Sequence, residues 1–302
     1  MSARYDGPIV DAHHHLWDLS LGRHPWLTSD DSAVKALGDI SFMRRTYLPS
    51  DYLADVGTQK VVGSVYIEAL WDRTRPAEEE VLWVESLAKP PGIASRCIGW
   101  ANLRADDADR VLERLAAHES VVGIRETIRW HPDPARRWTE AGIVDDSAWR
   151  RGLARAAAHN LHLELLMNTH QADEVARLAR DFPEQTFVVN HCGTPDRDEA
   201  GMAAWRAGLN RMAAQPNVFI KLSGYANYAV DLTAPALRAV VSTILEAFGT
   251  GRAMFATDYP VARRHMSFED ICERMKDIVQ PLSADEQRAL FHDNAFRTYR
   301  FT

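Results

Sequence analysis

Short apolar runs recur along the chain at residues 9–13, 61–68, 98–103, 121–128, 161–167, 186–191, 218–223 and 252–258. Most are rich in Val, Ile, Leu and Phe and show no polar alternation, the pattern of strands covered on both faces. Between them the spacing of apolar positions lengthens to that of amphipathic helices. Asp145 or Asp146 is placed to cap a helix that presents Trp149, Leu153 and Ala157 on one face and closes at Asn160. Ser283 and Glu286 have the spacing of a capping box ahead of Leu290, Phe291 and Phe296. Eight strands, each but the first soon followed by a helix, predict an α/β chain folded as a (β/α)8 TIM barrel, one domain over residues 1–302. A doubly wound sheet alternates too, but neither a GxGxxG nor a Walker loop is present to support one. The rhythm breaks only at residues 16–60, an insertion rich in Trp, Pro, Asp and Tyr. Because it leaves the C-terminal end of strand one, where barrels carry their sites, it is expected to form part of the site wall or a lid.

Composition narrows the function. The 35 Lys and Arg against 42 Asp and Glu leave a net charge of −7, with no basic run to grip nucleic acid. Cys97, Cys192 and Cys272 are odd in number and far apart, so neither a disulfide framework nor a thiolate zinc site is expected, and a reducing compartment is the simpler setting. The N-terminus lacks the apolar core of a signal peptide, and the longest apolar stretch, 61–71, is broken by Gly63, Ser64 and Glu68. A soluble, cytoplasmic protein without membrane partners follows as an expectation.

Polar residues gather at the predicted strand ends. Strand one ends Asp11-Ala12-His13-His14-His15. Alternate residues of an extended chain face one way, so His13 and His15 point together and His14 points opposite. Strand six runs through the apolar Phe187, Val188 and Val189 and then Asn190 into His191 and a glycine turn, and strand eight ends in Thr257-Asp258-Tyr259-Pro260. Taken singly, each of these has a bland reading: a solvated turn, a structural histidine, a loop cap. On one barrel, however, all four residues converge at the same end, which points to one site that binds a metal or polarises a carbonyl, with Asp258 as ligand or general base. A Cys192–His191 nucleophilic pair is disfavoured because neighbours along a strand face opposite sides. His118, His159, His162 and His292 lie on helices or their edges and are assigned no chemistry.

This pattern resembles the amidohydrolase superfamily. DAHHHLWD followed by HPWL, VYIEA, GIRE, NHCGTP, KLSG, FATDYPV and the C-terminal NAFRTYRF are similar to its lactonase-type branch, and they span nearly the whole chain. The resemblance implies hydrolysis of a lactone of a sugar acid, pyrone dicarboxylate or muconolactone type. In that scheme Asp258 activates water, and His13, His15 and His191 polarise the carbonyl, with or without a divalent metal. The chain departs from many superfamily members in lacking a Lys on strand four and a His among residues 163–167 of strand five. A dinuclear centre is therefore not expected. At most one ion, zinc or manganese, is held by His13, His15 and Asp258, with His191 or Glu126 as further ligands, and metal-free catalysis stays open.

Substrate contacts are assigned to Arg125, Arg129 and His131 after strand four, where guanidinium groups suit a carboxylate, or else form a salt-bridged loop. His170, Glu68 and Tyr225 occupy further rim positions, with Trp71, Arg73 and Asn227 beside them, and Arg263, Arg264 and His265 make a basic patch after Asp258. Trp17, Trp26 and Tyr47 are placed to line the pocket or pack the insertion, packing being preferred for Trp26. The expected partner is a small anionic or polyhydroxylated molecule, and a homo-oligomer is not excluded. Two rival functions stay in view: a metal-dependent non-oxidative decarboxylase, which the Thr-Asp-Tyr-Pro end of strand eight also resembles, and a catalytically silent ligand-binding barrel.

Overall fold

A computed structural model describes residues 3–29, 39–224 and 232–302. Its eight parallel strands are hydrogen-bonded in sequence order. They are β1 (Ile9–His14), β2 (Val61–Ile67), β3 (Arg96–Gly99), β4 (Val121–Thr127), β5 (His162–Leu166), β6 (Phe187–Val189), β7 (Val218–Leu222) and β8 (Ala253–Phe255). The seam closes just beyond β8, where Asp258 N donates to the His13 carbonyl and His15 N donates to the Tyr259 carbonyl, each at 2.8 Å. The predicted (β/α)8 barrel is thus present.

An inner apolar cluster of Val10, Ala12, Val65, Ile67, Ile98, Val122, Val188, Met254 and Ala256 fills the barrel, and Ala295 and Tyr299 join it from the C-terminal helix. That helix covers the N-terminal ends of the strands, since Arg300 donates to the Val122 and Asn160 carbonyls. The predicted helix after residue 146 is present as Ser147–Ala158. Asp146 Oδ1 accepts from Trp149 N at 2.8 Å, and Asn160 adopts a left-handed conformation just past the end. Its buried face is Trp149, Leu153 and Ala156, one position short of Ala157, because the helix packs at 3.6 residues per turn. The Ser283–Glu286 capping box also forms.

The described parts of the insertion are pinned to the barrel. Trp17 and Tyr47 exchange backbone hydrogen bonds, Trp17 Nε1 donates to the Arg45 carbonyl, and Trp26 Nε1 donates to the Ala69 carbonyl. Trp26 therefore packs as expected, and its ring also faces the cavity above the barrel, as do Ile40, Phe42 and Met43. Among the described residues no helix is long and apolar enough to cross a membrane, and Cys97, Cys192 and Cys272 are free and buried.

Candidate active site

Strand β1 aims its histidines with the help of a bulge. Asp11 pairs with Ser64 and His14 with Tyr66, so β1 carries one residue more than β2 over this stretch. His14 turns outward, where Nε2 lies 3.0 Å from Ser64 Oγ and the ring packs on Tyr52. His13 and His15 turn inward with their Nε2 atoms 3.2 Å apart. Below them Asp11 is fully buried and binds the seam together. Its carboxylate accepts from Thr257 N at 2.9 Å, Thr257 Oγ1 at 2.6 Å, His13 N at 3.2 Å and Tyr52 Oη at 2.9 Å. Burial pushes the Asp11 pKa up to about 6 against the pull of these donors.

His191 and Asp258 sit where β6 and β8 leave the ladder. Both are in left-handed conformations, φ 50° and 63°, and Cys192 and Thr194 share that region. Non-glycine residues pay roughly 1–3 kcal/mol each for such backbone, a cost found at constrained functional turns. The turns end both strands short of their predicted limits and swing the side chains over the barrel mouth. Gly224 lies against this turn: a Cβ there would come within 2.7 Å of the His191 Cβ.

The result is a compact cluster. Asp258 Oδ1 lies 3.5 Å from His13 Nε2, 3.6 Å from His15 Nε2 and 3.8 Å from His191 Nε2, with all four side chains buried. His15 Nδ1 is 2.8 Å from the Ile67 carbonyl and His191 Nδ1 is 3.0 Å from Ser223 Oγ. Burial holds the His13 pKa well below the usual histidine range and that of His191 down to about 4, so both rings are neutral at pH 7. His13, His191 and Asp258 each offer one ligand atom, and these lie within 4.8 Å of one another. Imidazoles with one carboxylate at this spacing fit a single first-row divalent ion by donor type.

A layer that the apolar pattern hid supports the cluster from below. Lys221 on β7 and Glu164 on β5 are fully buried inside the barrel, with Nζ 2.6 Å from Glu164 Oε2 and 3.4 Å from His13 Nδ1. Glu164 also accepts from Asn190 Nδ2 at 2.8 Å and Tyr299 Oη at 2.7 Å. Burial would raise the Glu164 carboxyl, but Lys221 holds it down to about 2, while burial brings Lys221 down to about 8 despite that partner. The signal available was a charge in the middle of each of two otherwise apolar strands.

The other predicted residues divide. Arg125 is inward and lines the cavity, yet Nε and Nη2 donate to Glu68 Oε1 and to the Glu68 carbonyl at 2.7–2.8 Å. Burial opposes the charge on Glu68, but Arg73 and Arg125 hold its pKa to about 2, so Glu68 braces Arg125 and is not among the cavity-lining residues. Glu126 is the neighbour of Arg125 on β4 and faces the opposite way. Its Oε2 accepts from Trp149 Nε1 at 2.8 Å in the helix layer, which removes it from the set of possible metal ligands. Arg129 lines the cavity with its guanidinium 4.7 Å from the Trp138 ring. His131 and His170 point to Asp196 Oδ2, at 3.3 and 3.1 Å, and Arg136 grips the same carboxylate. Asp196 had no place in the sequence reading and ties three rim loops together. Arg264 and His265 line the cavity, whereas Arg263 turns to Asp55. Cys192 donates toward the Ser223 carbonyl, and burial pushes its thiol up to about 12, which leaves no thiolate for nucleophilic attack. Tyr225 and Asn227 lie outside the described residues.

Above the cluster opens a cavity of about 810 Å³, floored by His15, His191 and Asp258 and walled by Trp26, Trp138, Arg125 and Arg129. An imidazole cluster with one carboxylate, at the bottom of a small-molecule cavity, can activate a water and receive negative charge from a carbonyl.

The family model described as Amidohydrolase matches residues 10–301. The chain belongs to the amidohydrolase family. Within it, the chain is 34% identical to the uncharacterized protein y4mH of Sinorhizobium fredii, over 98% of this chain and 99% of that one. It is 28% identical to an L-fucono-1,5-lactonase of Burkholderia multivorans over 96% of this chain and 95% of that enzyme. Among solved structures, an amidohydrolase of Burkholderia multivorans with bound zinc superposes with a TM-score of 0.80 at 25% identity, covering 98% of this chain and all of that one. The amidohydrolase assignment and the lactonase-type branch expected from the motifs therefore hold.

Proposed function

We propose that this amidohydrolase opens a small carboxylated or polyhydroxy lactone by attack of water on the ring carbonyl. The observation that carries the reading is the convergence of three imidazole Nε2 atoms on one Asp258 oxygen at the cavity floor. Asp258 takes a proton from water while the oxygen bonds to the carbonyl carbon. Charge that develops on the carbonyl oxygen is met by the imidazole edges. The ring C–O bond then breaks, and Asp258 returns its proton to the departing alkoxide, leaving a hydroxy acid. A divalent ion, when bound by the imidazoles and Asp258, supplies Lewis-acid polarisation of the carbonyl. The left-handed turns at His191 and Asp258 support this reading, because they fix the base and one imidazole in place before substrate arrives. The relatives named as L-fucono-1,5-lactonases support a sugar-acid lactone, and the arginines of the wall support a carboxylated one.

A panel of both lactone types followed by acid release tests the proposal. Turnover should fall by about 10²–10⁴ in Asp258→Asn, with the circular dichroism spectrum unchanged. Near-native turnover in that variant removes Asp258 as base. Release of carbon dioxide from arene carboxylates, without lactone opening, would replace the lactonase with a decarboxylase.

A further inference from the structure

Exposed arginines such as Arg75, Arg114 and Arg177 sit against carboxylates. At the N-terminal end of the barrel, opposite the active site, three arginines do not. Arg300 donates from Nη2 to the Val122 and Asn160 carbonyls at 2.7 and 3.0 Å. Arg96 donates to the carbonyls of Ser95 and Arg300, and Arg297 donates from Nη2 to Asn294 Oδ1 at 2.7 Å. Every one of these partners is a neutral oxygen. Among the described residues none of the three guanidinium groups has an acid within ion-pair distance. Carbonyls and amides hold a guanidinium in place without cancelling its charge. On a chain of net charge −7, the result is a local positive field.

Arg297 and Arg300 border a cavity of about 360 Å³ at this end, a volume within the range of small-ligand sites. His162, the first residue of β5, also lines it although only 6% exposed. Its Nε2 is buried, 3.8 Å from Glu164 Oε1 and without a hydrogen-bond partner, so the ring stands between the barrel interior and the cavity. Its Nδ1 has no partner among the described residues either and is the polar group that this ring offers to a ligand. Glu184 lines the same cavity but pairs with neither arginine, so two positive charges border it against one negative. A purely structural role accounts for Arg300, which ties the C-terminal helix to β4 and to the turn before β5. It does not account for Arg297, whose contact is three residues back on its own helix and joins nothing to the barrel.

We infer that this cavity binds a small oxyanion, a carboxylate or a phosphate, held by Arg297 and Arg300 beside His162. Planar guanidinium groups suit two-point contact with either anion. Arg300 is already fixed by its two carbonyls, so little freedom is lost when the ligand arrives. The site shares no lining residue with the active-site cavity and does not depend on the lactonase reading.

Calorimetric titration of the full-length protein with inorganic phosphate and with succinate, each at constant ionic strength, tests the inference without turnover. At least one should bind saturably, and the tighter of the two identifies the source of the oxyanion. Arg297→Gln should weaken that binding about tenfold, and Glu184→Gln should tighten it. Arg129→Gln, in the wall of the active-site cavity, should leave it unchanged. Absence of binding by both anions overturns the inference, and so does binding that survives Arg297→Gln and is lost in Arg129→Gln. Should Arg297→Gln fail to fold, Glu184→Gln decides, because an affinity unmoved by removal of that charge places the anion elsewhere.

Discussion

Replacing Glu126 by Gln separates a structural carboxyl from a catalytic one. Glu126 is buried in the helix layer with its Oε2 2.8 Å from Trp149 Nε1, and burial raises its pKa from 4.5 to about 7 even though the Trp149 hydrogen bond pulls it down. The folded protein therefore binds this proton more tightly than the unfolded chain does. Stability linked to Glu126 is complete below pH 4.5, declines as pH rises, and levels off above about pH 7. The gap between those two values corresponds to about 3 kcal/mol at pH 8. Gln keeps an oxygen for the Trp149 N–H and never ionises. Relative to the native chain, the variant should melt about 6 °C higher at pH 8, an advantage that shrinks toward zero near pH 5. Melting both proteins at one scan rate across that range measures the difference, and kcat and zinc binding should stay native. A melting difference that does not change with pH, or a variant that loses turnover or zinc, refutes the placement of Glu126 outside the site.

Tyr52→Phe removes one of the donors to the buried Asp11 carboxylate. It should cost about 2 kcal/mol in denaturant melts at pH 8. The cost should be smaller at pH 5, below the raised Asp11 pKa of about 6, where the carboxyl is protonated and needs fewer donors. Gly224→Ala places a Cβ 2.7 Å from the His191 Cβ at a φ of +67°. It should lower kcat by roughly 10- to 100-fold through a displaced His191, with secondary structure retained by circular dichroism. Asp196→Asn loosens the grip on His131, His170 and Arg136 at the rim, so KM should rise more than kcat falls, and a fall in kcat with KM unchanged would place Asp196 in the chemistry instead.

What the chain's pattern made legible and what it concealed follow from one geometric fact. A period of two is readable in sequence, and it sends His13 and His15 one way and His14 the other, whereas the bulge between Asp11 and His14 that sets which way is not readable there. The same parity, applied to β4, separates inward Arg125 from outward Glu126, so the misplaced ligand was a rule left unapplied rather than information missing. The left-handed turns at His191 and Asp258 are different in kind. No glycine stands at either position, and nothing in a run of apolar residues announces that the strand will end early and swing a side chain across the mouth. Lys221 and Glu164 are the hardest case, being 57 residues apart and each the lone charge in its strand. A single buried charge is costly enough to look like a misread strand. Two such charges, on β5 and β7 with β6 between them, neutralise one another where the curved sheet turns both side chains into the barrel. The barrel mouth can then hold His13 in its neutral form, because burial disfavours the imidazolium and the Lys221 charge one layer below repels it.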